Sequence, residues 1–75
     1  MMRVLLTADT PAKLTRPDGT VREDYTLSAG EVGGATYEGF RADSEDFYTV
    51  TVDGMHGRAV ALHVPKEHIR RLDAR

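Results

Sequence analysis

Residues 47–65, FYTVTVDGMHGRAVALHVP, alternate residue by residue on both sides of a glycine-bearing turn and stop at a proline. A period of two is what a strand needs when its two faces meet different surroundings. Tyr48, Val50 and Val52 share one face of the first run; Phe47, Thr49 and Thr51 share the other. In the second run Val60, Leu62 and Val64 alternate with Ala59, Ala61 and His63. Pro65 has no N–H for a ladder, so the second strand ends there. One hairpin is marginal alone and needs further strands beside it.

The rest of the chain supplies them. RVLLTA, residues 3–8, is a short apolar run of strand-forming residues ended by DTP. AKLTRPDGTVRED reads as a second hairpin: Pro17 presets φ, the Asp18 side chain can bond its own backbone, and Gly19 accepts positive φ. YTLSAGEVGGATYEGF carries glycines at 30, 33, 34 and 39, too many for a helix. Two extended pieces around a kink at Gly33-Gly34 fit it better. RADSED is a polar loop, and PKEH has the length of one helical turn, with Ile69 and Leu72 as the last apolar anchors. No segment keeps helical periodicity for three turns. The expected fold is all-β: one domain over residues 1–75, a small antiparallel barrel of five or six short strands with one short helical turn across residues 65–68. Leu27, Val50, Val52, Val60, Leu62 and Ile69 are expected to point inward together.

A chain of 75 residues buries only about 60% of the surface its unfolded form exposes. The absence of cysteine removes disulfides and thiolate metal sites as staples, so the apolar core or self-association must hold it. No apolar run nears the roughly 20 residues of a membrane span. The opening MMRVLLTADT has too short an apolar stretch for a signal peptide, and the expected location is cytoplasmic.

In order, these pieces resemble a Src-homology-3-like (SH3-like) barrel. DYTLSAGE, residues 24–31, resembles the family's acidic-Leu-Ser-x-x-Gly-acidic turn, which implies Leu27 in the core and Gly30 permitting the turn. SEDFYTVTVDG resembles the acidic loop and aromatic-led strand that follow, and HVPKEHIRRL the turn before the final strand. The resemblance spans residues 3–72. It implies a groove in which Pro65 is kept, Phe47 stands in place of a tryptophan and His68 in place of a tyrosine. The aromatics that clamp polyproline ligands in the family are otherwise missing.

Charge is unevenly spread. Residues 23–53 hold eight acids against Arg41 alone, a balance of −7, whereas the last ten residues stand at +2. An acidic centre argues against nucleic-acid binding over the whole surface. It suits a non-enzymatic adaptor or inhibitor, of the kind a phage or mobile element uses, docking on a basic surface or segment of another protein. Phe47, Asp43, Glu45, Asp46, Pro65 and His68 are the expected contact residues, the aromatic supplying area and the carboxylates orienting Arg or Lys. The alternative is a nucleic-acid-binding barrel using Lys66, Arg70 and Arg71, and it calls for a basic patch contiguous with an exposed aromatic.

Metal and catalytic chemistry find little support. His56, His63 and His68 match no metal-ligand spacing, so neither metal nor cofactor is expected. There is no nucleophile elbow, and GEVGGATYEG lacks the lysine of a phosphate loop. The tail AVALHVPKEHIRRL resembles the end of the plasmid-borne dihydrofolate reductases, oligomeric barrels with a shared pore. Their Val-Gln-Ile-Tyr active-site run is VALH here, without the polar groups, and no enzyme activity is expected.

Overall fold

Seven antiparallel strands, paired edge to edge in one open sheet, make up most of residues 2–40 and 46–72, which the computed structural model describes. They are β1 (Met2–Leu6), β2 (Thr10–Thr15), β3 (Val21–Leu27), β4 (Val32–Phe40), β5 (Asp46–Gly54), β6 (Gly57–Pro65) and β7 (Ile69–Arg71), with one 3₁₀ turn (Lys66–His68) between the last two. The sheet order is β3-β2-β6-β5-β4-β1-β7. Among the described residues no helix is long and apolar enough to cross a membrane.

The strand count exceeds the expected five or six because residues 69–71 form a strand of their own against β1. The boundaries of the glycine-rich region also differ. The chain breaks at residues 28–31, where Gly30 takes φ +99°, and β4 then runs straight through Gly33-Gly34 without the expected kink. Gly33 serves a close approach instead. A β-carbon there would run into the Thr51 carbonyl oxygen and lie 2.7 Å from Val52 Cγ2. The turn at residues 16–20 matches its reading: Gly19 is at φ +91°, and Asp18 accepts from the Thr20 amide at 3.0 Å and the Thr20 hydroxyl at 2.7 Å.

Val4 and Leu6, Ala12 and Leu14, Leu27, Ala35, Val50, and Ala59, Ala61 and Val64 are buried together, so β1 through β6 all contribute to one core. Among the described residues no second layer covers this face. A single sheet can bury one face so fully only by curling around it, as twisted strands with bulges allow.

Leu27 and Val50 point inward as expected, and Val52 and Ile69 pack against the core. The expectation for β6 is reversed. Ala59 and Ala61 are buried, Val60 is half-buried, and Leu62 is 63% exposed on the outer face. Both faces of AVAL, residues 59–62, are apolar, so alternation within it did not choose between them. The tightly curled inner face between β2 and β5 takes the two small side chains. A bulge then changes the phase: Val50 pairs with Ala61 but Tyr48 with Val64, so Leu62 and His63 together oppose Thr49. His63 sits at φ 58°, and the shift brings Val64 back into the core.

Candidate functional site

A second bulge faces the first across β5. In β4, Thr36 pairs with Thr49, Tyr37 with Tyr48 and Gly39 with Phe47, leaving Glu38 as the extra residue between the last two pairs. Two bulges on the strands flanking Thr49 re-aim Glu38 and His63 towards each other over the outer face. The Thr49 hydroxyl donates to Glu38 Oε2 at 2.6 Å, and the His63 amide donates to the same oxygen at 2.9 Å. His63 Nδ1 lies 2.8 Å from Glu38 Oε1. The Glu38 side chain is 22% exposed and the His63 ring 60% exposed.

The Thr49 hydroxyl, then the His63 amide, hold the Glu38 carboxyl below its ordinary 4.5; desolvation opposes them and the His63 ring assists. A carboxyl depressed in the folded state stabilises the fold fully above its unfolded value. That contribution is lost as pH falls through the folded one. Stability should therefore drop on acidification below about pH 4.5, and Glu38→Gln should flatten the drop. Urea midpoints of both proteins at about pH 6 and pH 3 check this; equal acid sensitivity would remove Glu38 from the account.

Beside this cluster lies the surface on which the sequence placed its contacts. Phe47 pairs directly with Pro65, which puts both on the outer face, and Phe47 is half-buried. Pro65 and His68 line a groove of about 260 Å³ with Pro11, Leu62, His63 and Asp9. The 3₁₀ turn positions His68: Pro65 ends β6 in an extended conformation (φ −64°, ψ 147°), and Ile69 resumes the sheet and donates its amide to the Lys66 carbonyl. Asp9, which precedes β2, is held by accepting from the Ala29 amide at 2.9 Å.

Asp46 does not join Phe47. Neighbours along a strand face opposite ways, and Asp46 accepts from the Tyr37 hydroxyl at 3.0 Å on the inner side, with Lys66 Nζ 3.8 Å from its other oxygen. Asp43 and Glu45 lie outside the described residues. The basic residues are parted in the same way. Lys66 is with Asp46, Arg70 is exposed on β7, and Arg71, paired with Val4, lines an inner-face groove.

That inner groove, about 400 Å³, is lined by Tyr37, Tyr48, Met2 and Arg71. The two tyrosine rings meet edge to face at 5.3 Å and 62°, and Tyr37 is 52% exposed. Sequence reasoning assigned Tyr48 to a strand face but had no register to bring Tyr37 opposite it. It also missed Glu38 and His63 as a pair. No local pattern marks either as a bulge residue. Among the described residues no group of three His, Cys, Asp or Glu side chains is placed to hold a metal ion. Compared with known proteins, the chain matches no family model, no curated protein and no solved structure.

Proposed function

We propose that this chain is a non-enzymatic protein-interaction module, an SH3-like barrel whose outer groove receives a basic segment of another protein. The observation that carries the reading is the pairing of Phe47 with Pro65 beside a groove that also holds His68 and the exposed Leu62. A leucine 63% exposed in a chain with so few large apolar residues is area available to a partner. Asp9 and Glu38 put carboxylates around this apolar floor, in keeping with the −7 balance of residues 23–53. The barrel assignment is supported by Leu27 buried in the core, Gly30 at φ +99°, and the 3₁₀ turn closed by Ile69.

The test is titration with an acetylated Arg-Leu-Arg-Leu-Arg peptide and its Glu-for-Arg counterpart at two ionic strengths. The arginine peptide should bind and weaken with salt, because charges beyond about 10 Å are screened at 0.1 M. Phe47→Ala should weaken it about fivefold or more, the equivalent of roughly a kilocalorie at a contact hot spot. Equal binding of both peptides, or none of either, would overturn the reading.

A second reading has one specific observation behind it. Tyr37 and Tyr48 share a groove with Arg71, an aromatic platform beside a cation, which suits a stacked base with its phosphate. Single-stranded oligonucleotide binding that Tyr37→Ala abolishes would favour it over the protein-binding reading.

A further inference from the structure

We infer that His63 is the specificity-determining residue of the outer groove, its Nε2 offering a fixed hydrogen-bond acceptor to a guanidinium or ammonium group of the bound segment. The inference rests on the reading of this groove as a dock for a basic segment, and names the atom that recognises the cation.

The tautomer follows from the geometry. Glu38 accepts from Thr49 and from the His63 amide, and its carboxyl is held in the ionised form, with no proton of its own to give. The contact of 2.8 Å between Glu38 Oε1 and His63 Nδ1 is therefore an Nδ1–H donating to a carboxylate. In the neutral ring the lone pair is then on Nε2, on the side turned away from Glu38. A flipped ring would set a C–H against Oε1 and forfeit the bond. Among the described residues nothing donates to Nε2.

The backbone points the same way. His63 occupies φ 58°, a conformation that residues with a β-carbon avoid and that Gly or Asn adopts more readily. A bulge there serves to turn one side chain out of phase with the strand. Glu38, itself a bulge residue, grips both the amide and the ring of His63, so the residue is held at two points. The ring is 60% exposed and borders the groove with Leu62, Pro65 and His68.

The surroundings select the ligand. The charged or titratable groups facing the ring are Glu38 from β4, Asp9 from the segment before β2, and His68 from the 3₁₀ turn; Thr49 of β5 is neutral. An acceptor nitrogen with two carboxylates nearby favours a cationic donor and disfavours an anion. Only the neutral ring offers an acceptor; a protonated ring would be a charged donor that repels a cation.

The test combines imidazole ¹⁵N spectra of the full chain with Arg-Leu-Arg-Leu-Arg titrations. The neutral His63 ring should show a protonated Nδ1 and an unprotonated Nε2. His63→Asn accepts the backbone conformation but is too short to reach, and it should lose affinity about tenfold with its amide spectrum still folded. His63→Gln, whose carbonyl can extend towards the Nε2 position, should recover part of it. Glu38 is a positioning residue: Glu38→Gln should mix the two tautomers as well as lower affinity, a spectroscopic change that simple destabilisation would not give. An Nε2–H tautomer in the wild type would overturn the inference. So would His63→Asn binding like wild type while Phe47→Ala loses binding, an outcome that leaves the groove itself standing. Indifference of the peptide to both variants would remove groove and inference together.

Discussion

Gly57→Ala should cost the fold about 3 kcal/mol, whereas Gly54→Ala, three residues earlier in the same hairpin, should cost almost nothing. The two glycines pair across the end of the β5–β6 hairpin, so propensity alone would treat them alike. Their surroundings separate them. Gly57 sits at φ +127°, and a β-carbon on it would run into the Thr15 carbonyl oxygen and lie 2.9 Å from Arg16 Cα. Both obstacles are backbone at the end of β2, which cannot swing aside as a side chain can. Backbone strain of about 1–2 kcal/mol then adds to an overpacking cost of about 1–3. Gly54 has open space where its β-carbon would go, and its φ lies outside the positive range. Stiffening the unfolded chain there could even stabilise by a few tenths of a kcal/mol. For a domain of this size about 3 kcal/mol corresponds to a fall in Tm of roughly 12–24 °C, and thermal melts of the two variants would show the split. Equal melting temperatures would mean that the end of β2 does not lie against Gly57.

Leu27→Ala should destabilise by about 3 kcal/mol, and Leu62→Ala by less than about 0.5. Leu27 is 1% exposed where the chain leaves β3, packed among side chains from across the curled sheet. Removing its end leaves a cavity that strands tied on both sides cannot close. Leu62 has 63% of its surface in solvent and loses little on truncation. A chain of 75 residues has a total stability of roughly 4–11 kcal/mol, so the first variant approaches the unfolding threshold. Urea midpoints of the pair decide the register of β6. A Leu62→Ala midpoint as low as that of Leu27→Ala would mean that β6 faces the other way, with Ala59 and Ala61 outside.

The β6 reversal marks where the sequence stopped being legible. In FYTVTVD one face is threonine and the other valine, and the strand faced as read. In AVAL, residues 59–62, both faces are apolar, and the choice depended on how tightly the sheet curls, which no local pattern records. Turn positions were readable because they depend on local backbone: Gly19, Gly30 and Pro65 each sit where the residue type allows what the chain must do. The purposes of Gly33 and Gly57 were not readable, since each is set by a strand distant in sequence. The candidate site divides along the same line. Phe47, Pro65 and His68 came from motif position and lie on one face, but Asp46, adjacent to Phe47 in sequence, turns to the opposite side. Glu38 and His63 are 25 residues apart in sequence and meet because bulges on the two strands flanking β5 turn them towards each other.

The most direct measurement is a ¹H–¹⁵N shift map of the domain during titration with Arg-Leu-Arg-Leu-Arg. Binding in the outer groove predicts the largest changes at Phe47, Leu62, His63 and His68, with Tyr37, Tyr48 and Arg71 little affected. Changes confined to Tyr37, Tyr48 and Arg71, or no changes at saturating peptide, would contradict it.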